Sequence, residues 1–244
     1  MREATLFKLK QLKFTGMYHA YMDTMQTGQL NKMDNDLFLS QLIECEWDER
    51  YNRRTERLIR TASFHYRASV EEILFDEERN LDKGKIEELA RCEYLEKAED
   101  ILITGATGTG KSYLATALGY QACLEGKKVL YINTNKLFAK MRSAKLEGTY
   151  IKELNKLERF QLLILDDFGL QTPDKTDRIA LLEIIEERHQ KGAIIVTSQL
   201  PVSRWFDVIG EKTIADAIMD RLAHQSHRID LKGESMRKKI KKGK

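Results

Sequence analysis

A chain of 244 residues, 42% hydrophobic and 32% charged, is long enough for one α/β domain with a helical appendage and too apolar to be disordered. Its 41 Lys and Arg nearly balance 38 Asp and Glu, and no apolar run exceeds four residues, which excludes a membrane-spanning helix. The net charge of +3 is an average over unlike blocks: residues 71–100 hold 5 basic and 12 acidic residues, whereas 232–244 hold 7 basic and 1 acidic. Three widely separated cysteines, Cys45, Cys92 and Cys123, form no metal-ligand pair and predict buried, reduced thiols. With no apolar block near the start, a cytoplasmic protein without a membrane partner is expected.

Residues 1–68 read as a small all-helical domain. Leu6, Leu9 and Phe14, then Met17, Tyr21 and Met25, recur at helical spacing; Asp36 is a candidate cap for a longer helix through Trp47, Leu58 and Ile59. Residues 69–98 form an acidic connector with a helix near 85–94. From Ile101 the pattern changes to short apolar runs between amphipathic stretches: 101–104, 129–132, 162–165, 193–197 and 227–231. Continuously apolar strands alternating with helices predict a parallel five-stranded sheet covered on both faces, an α/β core over 99–231 followed by a basic tail over 232–244. Gly126 and Gly192 stand where helix-ending glycines are expected, each shortly before a strand.

Directly after the first strand comes Gly105-Ala106-Thr107-Gly108-Thr109-Gly110-Lys111-Ser112, a full match to G-x-x-x-x-G-K-[ST]. Glycines let the backbone wrap a phosphate chain and present N–H groups at a helix start. Lys111 brings a compact positive charge to the phosphates of ATP, and the Ser112 hydroxyl can ligate Mg²⁺. Tyr113 begins the helical stretch that follows and is a further candidate nucleotide contact. The run Leu162–Leu165 ends in Asp166 and Asp167. Asp166 is expected to serve Mg²⁺ and Asp167 to polarise the attacking water; Gln199, leaving the strand 193–197, is the candidate γ-phosphate sensor. Together these residues predict a P-loop nucleotide hydrolase.

The stretches Gly105–Ser112, Leu162–Gly169 and Thr197–Pro201 resemble the AAA+ ATPases of the helicase-loader branch. Within it, the segment Ile214-Ala215-Asp216-Ala217-Ile218-Met219-Asp220-Arg221-Leu222, then His227–Leu231 and Gly233–Arg237, resembles the IstB-type helpers of insertion-sequence transposition, relatives of DnaC-type loaders. Leu12-Lys13-Phe14-Thr15-Gly16-Met17 is similar to that family's opening motif, so the likeness spans nearly the whole chain. It implies an AAA+ three-layer sandwich, an arginine finger at Arg221 acting on a neighbouring subunit's nucleotide, and a cis phosphate contact at Arg237, with Arg178, Arg188 and Arg204 as substitutes. Two departures matter. Only 23 residues follow Arg221, so a full carboxyl-terminal lid is not expected, and Asp167 stands where many AAA+ proteins have Glu.

Two basic clusters are candidates for DNA phosphates: Arg50, Arg53, Arg54, Arg57 and Arg60 along one helix face, and Lys136, Lys140, Arg142, Lys145, Lys152 and Lys156 ahead of the Asp166 strand. The expected function is an ATPase that self-assembles on duplex DNA with little sequence preference, nucleoid-associated when bound, and helps a cognate transposase. A replicative helicase loader and a nucleotide-switched scaffold with negligible hydrolysis are the alternatives.

Overall fold

The structure is a computed structural model and describes residues 2–28, 33–224 and 226–236. The chain divides into two compact units, Met1–Arg57 and Leu58–Lys244.

The first unit holds α1 (Arg2–Gln11), α2 (Thr15–Gln26) and most of α3 (Asn35–Ala62). The cap of α3 is Asp34, not Asp36: its carboxylate accepts from Asp36 N at 3.1 Å and Leu37 N at 3.4 Å. Asp36 already lies inside the first turn, where its negative charge complements the helix dipole instead. A side-chain cap on α2 is replaced from a distance by buried Glu46 of α3, which accepts from Gly16 N at 2.9 Å and Met17 N at 3.3 Å. The helices meet so closely there that a Cβ on Gly16 would lie 2.2 Å from Cys45 O. That contact explains the glycine in the Leu12–Met17 motif.

In the second unit the connector carries a 3-10 turn (Glu77–Arg79), α4 (Lys83–Ala90) and α5 (Glu93–Glu96). The chain then alternates β1 (Asp100–Gly105), α6 (Lys111–Leu124), β2 (Val129–Asn133), α7 (Thr134–Leu146), α8 (Tyr150–Glu158), β3 (Leu162–Phe168), α9 (Lys175–Arg188) and β4 (Ala193–Ser198). It closes with α10 (Trp205–Ile209), α11 (Lys212–His224) and β5 (Ser226–Leu231). All five strands pair in parallel, in the order β2-β3-β4-β1-β5.

Alternation along the strands sends side chains into two layers. Ile101, Ile103, Leu162, Ile164 and Ile195 join Leu114 and Leu118 of α6, with Ile86 and Leu89 of α4, in one core. Leu102, Leu163, Leu165, Ile194 and Val196 join residues of α7, α9 and α11 in the other. β1 to β4 are therefore apolar on both faces, as a doubly covered parallel sheet requires, whereas the edge strand β5 buries only Ile229 and Leu231, and the result is a three-layer sandwich.

Gly126 follows α6 with φ +75°, the left-handed turn that ends a helix. Gly192 does something different. The left-handed residue after α9 is Gln190, and a Cβ on Gly192 would lie 2.8 Å from Arg188 Nη2. Arg188 is buried, and its guanidinium donates to the carbonyls of Leu157, Phe160 and Ala193 at 2.9 Å each and of Gln161 at 3.3 Å. It ties together the amino-terminal ends of β3 and β4, at the far end of the sheet from the phosphate loop. Beside it Asp100 accepts from Ile194 N at 2.7 Å, and burial pushes its carboxyl up to about 7.

Two outcomes are expected. Gly16→Ala should destabilise the chain by about 1–3 kcal/mol in urea denaturation, because the added methyl meets backbone that cannot yield without moving a helix. Asp100 holds its proton in the folded chain up to about pH 7, against 3.8 ordinarily. The resulting stability is complete below the ordinary value and lost as pH rises through about 7. Thermal melts should accordingly show a falling Tm from pH 6 to pH 8, with that component absent in Asp100→Asn.

Candidate nucleotide-binding site

The phosphate loop lies at the carboxyl end of β1, where a parallel sheet of this order places its ligands. Gly105, Gly108 and Gly110 have φ of +143°, +84° and +96°. Gly105 also lets the loop pass within 2.3 Å, by an added Cβ, of Leu231 O at the end of β5. Gly110 precedes α6 and offers no side-chain cap, so the helix's first N–H groups face the loop as an anion site. Ala106 O receives both Thr109 Oγ1, at 2.9 Å, and the buried Lys111 Nζ, at 2.8 Å. The loop thus holds its own lysine in place.

Asp166 is buried at the carboxyl end of β3. Its Oδ1 accepts from Ser112 Oγ at 2.8 Å and Thr197 Oγ1 at 2.5 Å, its Oδ2 from Tyr131 OH, and its backbone oxygen from Thr134 Oγ1 at 2.9 Å. Burial and the adjacent carboxylate push the Tyr131 phenol far up, so it stays a donor. The register of β3 against β4 slips between Leu165 and Phe168, and Asp167 adopts φ +58°. That local twist turns Asp167 out of the strand plane. Its N–H donates to Thr197 Oγ1 at 3.1 Å, and Asn133 Nδ2 donates to its Oδ2 at 3.2 Å. Strain of this kind in a non-glycine residue persists only where its surroundings enforce it.

A pocket of about 430 Å³ unites Thr107, Gly108, Gly110, Lys111, Ser112 and Tyr113 with Asp167 and Gln199. Its other wall comes from Tyr66, Glu72, Ile73, Leu74 and Arg79 of the connector region and from Met236. Tyr113 stacks on Tyr66 with ring centroids 6.1 Å apart and donates to Glu72 at 2.9 Å. Ser112 and Asp166, two hard oxygen donors in hydrogen-bond contact beside a phosphate loop, form a donor set that fits Mg²⁺ held jointly with nucleotide phosphates.

Sequence reasoning missed Arg79, Tyr131, Asn133 and Thr134. Thr197 appeared there only as a strand end, yet β4 lies between β1 and β3, so its hydroxyl serves both carboxylate residues. The legible signal was a polar residue closing each apolar run.

Arg221 of α11 lies elsewhere. Its Nη2 pairs with Glu186 at 2.9 Å and its Nη1 donates to Ala217 O at 2.8 Å. It lines a separate cavity of about 320 Å³ with Asp100, Arg188, Gly192 and Ile194, at the amino-terminal end of the sheet. Met236 N donates to Gly108 O at 2.9 Å, while Arg237 falls outside the described residues.

Among the basic candidates, Arg50 pairs with Glu46 at 2.7 Å and lies over the Phe14 ring, and Arg53 pairs with Glu49 at 2.6 Å. Arg54 and Arg57 share their helix, and Arg60 lines a shallow pocket with Arg67 and Tyr120 in the second unit. Lys140 pairs with Glu153 at 2.6 Å, and Arg142 binds Asp177. Lys136, Lys145, Lys152 and Lys156 are exposed on α7 and α8.

The sheet order, the phosphate loop at β1 and the paired aspartates at β3 define an AAA+ P-loop protein. The fold is shared with the DnaC helicase loader (TM-score 0.59, 20% identity, covering 70% of this chain and 100% of that one). It is also shared with AMPPCP-bound DnaA from Aquifex aeolicus (TM-score 0.60, 22% identity, 74% and 55% covered). Within this class the chain belongs to the family of IstB-like ATP binding proteins, whose family model matches residues 7–243. It is 40% identical over 234 residues, 96% of each chain, to the insertion sequence ATP-binding protein y4pL of Sinorhizobium fredii.

Thr197→Val keeps the shape but removes the hydroxyl between the two aspartates. The variant is expected to lose about 1–3 kcal/mol in chemical denaturation, since a buried carboxylate loses a donor.

Proposed function

We propose that this chain is a Mg²⁺-dependent ATPase that assembles with copies of itself on duplex DNA and assists the transposase of an insertion sequence. The observation that carries the reading is the separation of two functional groups. Lys111 and its partners occupy the carboxyl end of the sheet, whereas Arg221 lies at the amino-terminal end, outside its own chain's nucleotide pocket. An arginine so placed does not line its own chain's nucleotide pocket, which supports a role at a neighbouring copy's phosphates.

In this mechanism the loop N–H groups and Lys111 bind the phosphate chain and hold its charge as it shifts toward the leaving group. Ser112 and Asp166 would hold Mg²⁺, which would neutralise phosphate charge there. Asp167, fixed by Asn133, accepts a hydrogen bond from the attacking water and takes its proton; Gln199 orients that water from the next strand. Arg221 leaves Glu186 for the phosphates of the adjoining subunit, so turnover depends on assembly. Arg237 follows directly on Met236, whose N–H binds the phosphate loop, and serves as a cis phosphate contact. Lys136, Lys145, Lys152 and Lys156 are the better DNA candidates, because Lys140 and Arg142 are engaged by carboxylates. Contacts of this type are to backbone phosphate and are insensitive to sequence. The insertion-sequence relatives support the link to transposition.

Phosphate release, sedimentation and DNA binding measured on three variants test the scheme. Lys111→Ala should abolish ATP binding. Asp167→Asn should keep ATP-dependent assembly but slow phosphate release by about 10²-fold or more. Arg221→Ala should bind ATP as a monomer yet lose about 10³-fold in DNA-stimulated turnover. Full turnover in Arg221→Ala would overturn the trans arrangement, and a strong preference for single strands would favour helicase loading.

A further inference from the structure

Arg79 sits on the short turn Glu77–Arg79 of the acidic connector and is nevertheless 6% exposed. Its guanidinium bridges two walls of the nucleotide pocket. Nη2 donates to Thr109 O of the phosphate loop at 2.9 Å, and Nη1 donates to Leu74 O in the wall that also carries Ile73, Tyr66 and Tyr113. Nε is buried with no partner, and among the described residues Arg79 forms no ion pair. Burial lowers its pKa, with Asp76 opposing. A guanidinium so enclosed, with two neutral carbonyl acceptors and one orphaned donor, is costly unless an anion completes its shell.

The loop is shaped around this side chain. A Cβ on Gly110 would lie 2.8 Å from Arg79 Nη2, so the third glycine of the loop makes room for an arginine as well as for phosphate. The turn itself is anchored. Lys232 N donates to Arg79 O at 3.1 Å and Asn80 Nδ2 to Asp230 O at 3.0 Å, both just around the end of β5.

We propose that Arg79 is a nucleotide-binding residue whose guanidinium contacts the α-phosphate end of the bound nucleotide, where the phosphate loop meets the aromatic wall. The proposal rests on ATP occupying the Lys111 pocket. Because the contact precedes the γ-phosphate, Arg79 binds ATP and ADP alike and does not sense hydrolysis. It supplies from the connector a cis cation that Lys111, at the other end of the phosphate chain, does not.

Binding of fluorescent ATP and ADP analogues to the full chain tests this, with Arg79→Lys, Arg79→Gln and Asn80→Ala compared with wild type. Arg79→Gln retains an amide donor for Thr109 O but no charge. It should weaken both nucleotides by about tenfold or more, to equal extents, as expected for a lost charge-assisted bond. Arg79→Lys should recover to within about threefold, because it restores the charge. Asn80→Ala loosens the same turn but keeps the guanidinium, so it should lose less affinity than Arg79→Gln; an equal loss would overturn the proposal. Wild-type affinity in Arg79→Gln would show that Arg79 only props the loop and would overturn the proposal; so would a loss confined to ATP. On the wild-type protein, ATP but not adenosine should slow phenylglyoxal modification of Arg79, read by peptide mass spectrometry; unchanged modification would overturn the proposal whether or not the variants fold. If wild type itself fails to bind ATP, while Lys111→Ala behaves identically, the nucleotide-site reading fails instead.

Discussion

A carboxylate buried at the end of a strand must find donors, and Asp166 finds three on three different elements: Ser112 on α6, Tyr131 on β2 and Thr197 on β4. This one side chain therefore fixes the distance between the phosphate-loop helix and the strands that face it. β4 is inserted between β1 and β3, so the loop and the aspartate pair cannot touch through the backbone. Hydroxyl bridges across β4 do it instead. Thr197 extends the same device to Asp167, whose N–H it receives while Asn133 holds the carboxyl.

Much of this arrangement was legible in the chain. The five apolar runs became strands in the expected places, extended by up to three residues where polar residues such as Asp166 and Asn133 continue the ladder. The phosphate loop, Ser112, Asp167 and Gln199 converge on one pocket because motif spacing encodes local geometry. Long-range polar partners were not legible. Nothing in the neighbourhood of Tyr131 or Arg79 announces a hydrogen bond to Asp166 or Thr109, because those pairings depend on strand order and on how the connector folds back. Local rules misled in two places. Gly192 precedes a strand as a helix-ending glycine should, yet its small size serves the Arg188 guanidinium; Asp36 can cap a helix, but Asp34 is two residues earlier and reaches the first N–H groups.

Charge sorts itself in the same way. From sequence, each basic block is a uniform stripe. In the fold, Arg50 and Arg53 are paired with glutamates one turn earlier, and Lys140 and Arg142 bind carboxylates of neighbouring helices. Each pairing reduces the field its cation projects, whether the carboxylate is partly exposed, as Glu49 is, or buried, as Glu46 and Asp177 are. What remains outward on α7 and α8 is a smaller set of lysines. A near-neutral chain can thus retain a local attraction for polyanions while its acidic connector, part of a stretch with 12 acidic against 5 basic residues, lines the nucleotide pocket.

The connector is also tied to both the phosphate loop and the segment that follows β5. Arg79 binds the phosphate loop through Thr109, its own carbonyl is held by Lys232 after β5, and Met236 returns to Gly108. Three segments distant in sequence thus meet at one corner of the site through hydrogen bonds to loop backbone. Arg221 is reached by a different route, through α11, which packs on α9 and leads directly into β5. The two ends of β5 therefore lie next to two different features. Its carboxyl end leads into residues that touch the chain's own phosphate loop, and its amino-terminal end follows the helix that carries Arg221. In the proposed mechanism, this edge strand is what joins the segment on the phosphate loop to the helix that offers the arginine.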